Sequence, residues 1–306
     1  MKLNTSGDDV KEAQILLKKN GYYKGQINGF YSQDMVLSVM AFQKTINVDS
    51  DGVIGIVTWN FLQSGKTNEA VDKETFDGKE YTIYYSNLNG FKIYDNKISD
   101  DNYYTEKTEK RFIFLHSTNA GFRPDYSINM WNCDKMSKLR HANHFVIGRN
   151  SVSTNNTSWD GKTLITFDDS YWAYNNIDDN IDLNKSSISI DICNYGTLIK
   201  GTDNNFYNST NKIIPPDNVI ELKTPYKGIT YFEKYTDKQI ESLYNLINYL
   251  INKHNIHINR HIYNQKWFEY NPIMISGSGI RTNGQVDMNT VDIFPQKNLI
   301  DMLNTL

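Results

Sequence analysis

Phe112-Ile113-Phe114-Leu115 is the stretch that most limits what this chain can fold into. Four consecutive large apolar side chains leave no face for water, so the run predicts a strand buried on both sides. Two more strands are expected at Phe145-Val146-Ile147 and from Ser187 to Cys193, where Ile188, Ile190 and Ile192 alternate with Ser189 and Asp191. Thr236-Asp237-Lys238-Gln239 forms a capping box, in which Thr and Gln each satisfy an orphan amide. The helix it opens carries Ile240, Leu243, Tyr244, Ile247, Leu250 and Ile251 on one face, and Pro295 suits the first turn of a terminal helix ending near Leu303. Strands interleaved with amphipathic helices predict an α/β domain over residues 111–306, a sheet covered by helices. His116-Ser117-Thr118 closes the first strand, where such folds place functional side chains, although a lone histidine there is more often structural.

Residues 1–66 have a different rhythm. Val10, Ala13, Leu16 and Leu17 recur at helical spacing, and Asn20-Gly21 offers a left-handed stop. Ser32 can cap a second helix burying Met35 or Val36, with Val39, Met40 and Phe42. Asn28-Gly29 and Asp51-Gly52 read as turns, and Ile56 to Leu62 as a third helix carrying Trp59. Three short helices around one small core are the expectation, a small all-α domain. Residues 67–110 then form a linker and extension. The polar stretch Ser64 to Lys79 reads as a hinge, and Tyr81 to Tyr94 as a hairpin around Asn87-Leu88-Asn89-Gly90.

Composition removes several function classes. Hydrophobic residues at 39% and charged residues at 22% fit a folded chain. A net charge of −3 without a long basic run argues against nucleic-acid binding. No apolar run reaches the roughly 18 residues of a membrane span. Cys133 and Cys193 cannot build a disulfide framework and are expected to be buried thiols. The 21 tyrosines suit strand and core packing, or a surface that stacks on sugar rings. Trp131, Trp159, Trp172 and Trp267 are groove or core candidates, with core preferred.

The first segment resembles the peptidoglycan-binding three-helix domain. The resemblance is carried by Asp9-Val10-Lys11-Glu12-Ala13-Gln14, Gly21-Tyr22-Tyr23, Ile27-Asn28-Gly29-Phe30-Tyr31-Ser32, Ala41-Phe42-Gln43-Lys44, Asp51-Gly52-Val53-Ile54-Gly55 and Thr58-Trp59. Residues 111–306 resemble the zinc-dependent N-acetylmuramoyl-L-alanine amidases, in their phage-borne branch. There the resemblance lies in Phe112 to Thr118, Asn143 to Asn150, Ser187 to Ile192, the helix at 236–251, a loop like Tyr226 to Tyr235 before that helix, and Asp292-Ile293-Phe294-Pro295. Together these imply a wall-directed protein whose partner is peptidoglycan, with other virion proteins as a further partner class. No secretory signal is read at Met1 to Asp8, so carriage in a phage particle, or release from the host cytoplasm, is the expected route to the wall.

The same resemblance implies three zinc ligands and two helper groups. The first ligand falls on His116 and the third on Asp292, but the second histidine of a Gly-x-x-Thr-His run falls on Asn283 in Gly279-Ile280-Arg281-Thr282-Asn283. The lysine that would stabilise an oxyanion falls on Thr290, and the tyrosine of the Tyr-His-Phe strand on Asn143. A carboxamide is a poor zinc donor, so the expectation is a domain without cofactor that holds peptidoglycan uncleaved. The alternative is an active amidase with zinc, its missing ligand supplied by His141, His144, His254, His257 or His261. His254, His257 and His261 have a spacing that permits one helical face; Asn255 and Asn259 work against that helix.

Overall fold

The computed structural model describes residues 1–306 except 47, 49, 65–72, 87–89, 134–138, 176–179 and 259–265. It divides into two compact units, residues 1–73 with 86–91, and residues 74–85 with 92–306.

The first unit holds α1 (Asp8–Lys19), α2 (Gln33–Thr45) and α3 (Ile56–Ser64) around Val10, Ala13, Leu17, Met35, Val39, Phe42 and Leu62. Ser32 caps α2, its hydroxyl accepting from Met35 N at 3.3 Å. Of the two candidates on α2, Met35 takes the core and Val36 is half-buried, as are Leu16 and Met40. Two buried glutamines latch the turns. Gln14 Oε1 accepts from Asn28 N (3.0 Å) and Gly29 N (2.8 Å), while its Nε2 donates to Phe30 O at 2.9 Å. Gln43 repeats the device one helix later, accepting from Gly52 N at 2.9 Å and donating to Val53 O at 2.9 Å. Gly29 and Gly52 sit at φ 72° and 70°, and a Cβ on Gly52 would lie 2.6 Å from Val36 Cγ1. A helix glutamine bonded to an Asn-Gly or Asp-Gly turn thus recurs twice in this unit.

The second unit is built on an eight-stranded sheet of order β1-β2-β3-β6-β5-β7-β4-β13. Its members are β1 (Lys73–Phe76), β2 (Lys79–Ser86), β3 (Lys92–Asp95), β4 (Phe112–Ser117), β5 (Phe145–Ile147), β6 (Thr163–Ile165), β7 (Ser187–Ile192) and β13 (Gly279–Thr282). Strands β5, β7, β4 and β13 run parallel, and every residue of β4 and β7 is buried, as a sheet covered on both faces requires. The helices are α4 (Pro124–Cys133), α5 (Ile181–Lys185), α6 (Asp237–His254), α7 (Asn283–Val286) and α8 (Lys297–Leu303). Phe76, Tyr81, Val146, Trp159, Leu164 and Phe167 form the core on one side. Trp159 belongs to that core, and Trp172 and Trp267 are buried outside it. Among the described residues no helix is long and apolar enough to cross a membrane.

Several expectations are corrected. Residues 73–79 do not continue the polar hinge: β1 and β2 turn through Asp77-Gly78, at φ 49° and 74°, the left-handed pair of a tight hairpin. The Asn87-Leu88-Asn89 turn lies outside the described residues, although β2 and β3 are sheet neighbours. The capping box of α6 is present as read, but its buried face is wider than expected. Leu246 and Tyr249 are buried, while Tyr244 stays 39% exposed, because the Tyr249 ring packs 4.4 Å from Tyr85 of β2. Pro295 precedes the terminal helix, whose N-cap is Gln296. Cys193 is a buried free thiol; the side chain of Cys133 lies outside what is described. The region before α6 is more than a loop. Residues β8 (Thr197–Lys200), β9 (Phe206–Tyr207), β10 (Ile213–Ile214), β11 (Val219–Tyr226) and β12 (Ile229–Glu233) form a second sheet of order β10-β9-β8-β12-β11.

Candidate functional site

Register brings the site together. In the β4–β7 pair His116 lies opposite Asp191, so both side chains leave the same face of the sheet near the carboxyl ends of parallel strands. Thr282 of β13 lies opposite Leu115, which sets Asn283 one step further, beside His116. Asp292 returns from the following loop, and its Oδ1 accepts from Ser117 N at 2.5 Å. Asn143, just before β5, lies near enough to Asp191 for its amide to favour the ionised carboxyl. His116, Asp191, Asp292 and Asn143, with Trp131, Met130 and Thr290, line a cavity of about 550 Å³.

His116 Nδ1 lies 3.0 Å from Asp292 Oδ2, and Asn283 Nδ2 lies 3.1 Å from His116 Nδ1 and 3.2 Å from Asp292 Oδ2. With the proton on Nδ1, the Asp292 carboxylate accepts from the imidazole, the Asn283 amide and a backbone N–H at once. The resemblance implies zinc here, and the donor set does not fit it. One imidazole and one carboxylate face a neutral amide that donates its N–H to the carboxylate, in the corner where the resemblance puts a second imidazole. Among the described residues no group of three His, Cys, Asp or Glu side chains converges as metal ligands.

The segment carrying these groups is held from outside. Lys227, at the left-handed apex of the β11–β12 hairpin (φ 49°), donates to Gly284 O (3.3 Å), Asp287 O (3.0 Å) and Thr290 O (2.7 Å). Three carbonyls match its three N–H donors, so this lysine secures the loop from Asn283 to Asp292 and does not line the cavity.

The remaining histidines are elsewhere. His144 is buried on the opposite face from Asn143, its Nδ1 3.0 Å from Ser189 Oγ and its Nε2 3.0 Å from Tyr171 O. Burial, reinforced by Lys110, holds its imidazole down to about 3, so it is a neutral structural group. His141 bridges to Tyr174. His254 packs against Asp169 at 3.4 Å, and the helix ends there because Asn255 turns left-handed at φ 52°. The single helical face proposed for His254, His257 and His261 therefore does not form; His261 itself lies outside the described residues.

The residue missed in the sequence is Asp191. It is 5% exposed, and burial pushes its carboxyl up to about 6, with Asp292 adding to the push and His116 and Asn143 opposing it. The available signal was its place as the acidic member of a strand otherwise fully buried. Asp191→Asn is expected to stabilise the chain at pH 7.5 by on the order of 2–3 kcal/mol. The folded carboxyl titrates above the unfolded one, so its favourable contribution is complete below about pH 4 and lost as pH rises through about 6. Urea denaturation at pH 7.5 and pH 4 checks this; an equal difference at both values would contradict it.

A solvent-filled cleft at the strand ends, with an imidazole and two carboxylates on its floor, defines an α/β domain of hydrolase fold. The chain belongs to the N-acetylmuramoyl-L-alanine amidase family, whose model matches residues 106–278, more than half its length. A peptidoglycan binding domain model matches residues 6–62, the three-helix unit. The amidase match stops short of Asn283, Thr290 and Asp292.

Curated relatives match over short stretches. The spore cortex-lytic enzyme of Bacillus subtilis (strain 168) is 35% identical over 82 residues, 26% of this chain and 27% of that protein. The carboxy-terminal processing protease CtpB of the same organism is 35% identical over 79 residues, 26% of this chain. This chain spans only 15% of that protease. Among solved structures, the N-acetylmuramoyl-L-alanine amidase LysC from Clostridium intestinale URNW is 14% identical, with a TM-score of 0.39, over 69% of this chain and 97% of that one. PlyL is 12% identical, with a TM-score of 0.37, over 65% and 84%.

Proposed function

We propose that this chain is a wall-binding protein whose amidase-fold domain holds peptidoglycan without cleaving it or keeping zinc. The observation that carries the reading is the amide of Asn283, which donates to Asp292 and lies 3.1 Å from His116 Nδ1, where a metal would need an imidazole. Thr290 and Asn143 support it, since neither supplies the cation or phenol that acyl transfer at this position would use. Two wall-directed units in one chain raise avidity through effective concentration, without a new contact. A place in a phage particle or a lysis system belongs to the same proposal, supported by the resemblance of the segment Tyr226 to Tyr235 to the phage-borne branch. Other virion proteins are then a second partner class.

An active amidase is the competing reading, favoured by the retained His116, Asp191 and Asp292 around an open cavity. Purified sacculi separate the two. The full chain with added zinc is expected to sediment with sacculi, release no muropeptides, and keep binding after chelation. Release that disappears in H116A would sink the proposal.

A further inference from the structure

Beside the His116 cavity lies a second one of about 430 Å³, and the two share Asn119 and Met130. On α4, Tyr126 and Met130 stand one turn apart, 57% and 68% exposed, and form an apolar backing to it. Its floor is the Arg149–Glu233 ion pair at 2.5 Å, with both side chains out of water. These two charges cancel.

The outer wall comes from the second sheet. Between β9 and β10, the buried Asn208 accepts through Oδ1 from Thr210 N (3.0 Å), Thr210 Oγ1 (3.0 Å) and Lys212 N (2.8 Å). Its own N–H donates to Lys212 O at 3.0 Å, and Asn211 turns left-handed at φ 58°. The turn is therefore fixed by its own hydrogen bonds, and it presents Lys212 at the cavity rim, with Nζ 5.9 Å from the Tyr195 ring centre. Among the described lining residues, Lys212 contributes the charge left over once Arg149 and Glu233 have neutralised each other.

We propose that this second cavity takes the peptide portion of the wall ligand, and that Lys212 selects a free carboxylate on it over a carboxamide. The proposal rests on the wall-binding reading. The physical reason is charge: an ammonium donates to either oxygen, but only the carboxylate returns a full negative charge to an otherwise neutral cavity. Apolar backing, a wall shared with the His116 cavity at Asn119 and Met130, and a cation on a hydrogen-bonded turn together suit a short acidic peptide.

The test uses the full chain and two muramyl-peptides of one sequence, differing only by carboxylate or carboxamide, titrated calorimetrically. The acid form is expected to bind about fivefold tighter, with the margin shrinking as salt rises. K212Q should equalise the two ligands, and K212R should keep the preference. Equal affinities in the parent chain, or a preference that survives K212Q, overturn the proposal. Sacculus binding without discrimination overturns this proposal alone, whereas failure of both peptides and of sacculi overturns the wall-binding reading with it.

Discussion

Asn283→His is expected to hold stoichiometric zinc after dialysis, while the parent chain retains a small fraction of an equivalent. The substitution places an imidazole where an amide now sits 3.1 Å from His116 Nδ1 and 3.2 Å from Asp292 Oδ2, completing the three protein ligands a tetrahedral site needs beside one open position. Losing a group that merely orients a ligand already weakens zinc binding by roughly 10–100-fold, so restoring a ligand should gain more than about a hundredfold. The gain should vanish at low pH, because the imidazoles must shed their protons to bind metal. Lys227 already pins the loop through three carbonyls, so the new ligand enters a segment held in place. Hydrolysis is not expected to return with the metal, since Thr290 offers no cation to a developing oxyanion. Metal analysis on both proteins decides the matter. A parent chain that already carries one zinc per molecule would overturn the binding-only reading, and an N283H protein that stays empty would show that the corner is misaligned.

What could be read in the sequence follows from how local the cause is. The apolar run Phe112–Leu115 of β4 and the capping box of α6 are local patterns, and both fold as read. The second sheet was missed because its strands are short and half-exposed: Phe206–Tyr207 and Ile213–Ile214 are two residues each, and Val219–Tyr226 shows no clean alternation. Its usable signal lay in the turns, where Asn204, Asn211 and Lys227 all take left-handed conformations. The site is non-local. His116 meets Asn283 and Asp292 across 167 and 176 residues, and only the family resemblance brought them together in sequence. Asp191 went unread because an acidic residue on an alternating strand looks solvent-facing until a second covering layer is known. The histidine spacing at 254, 257 and 261 misled for the opposite reason, since periodicity means nothing beyond the left-handed Asn255.

Arg149→Met should destabilise the α/β unit by about 3–5 kcal/mol, the usual effect of leaving one member of a buried ion pair alone. Arg149 and Glu233 are 1% and 0% exposed, and Glu233 is already pushed up by burial, with Arg149 as the main counterweight. Without that guanidinium the carboxyl should titrate higher still, so the damage should be greater at pH 8, where burial opposes its ionisation, than at pH 5. The pair also joins separate parts of the unit. Arg149 N donates to Phe122 O at 3.1 Å, Glu233 N to Gly196 O at 2.9 Å, and Tyr195 N to Glu233 Oε2 at 2.5 Å. Through the ion pair between Arg149 and Glu233, the segment after β5 is tied to β12 of the sheet that carries Lys212. Replacing both charges, as in R149M/E233L, should recover much of the single-variant loss, because no buried ion is then stranded. Yet the double variant should still bind acidic muramyl-peptide less well, since the turn bearing Lys212 loses its anchor to the eight-stranded sheet. Urea denaturation of the single and double variants at both pH values tests the first part, and titration of the double variant tests the second. A double variant no more stable than the single would mean that the pair's geometry, beyond its charge balance, holds the two sheets together.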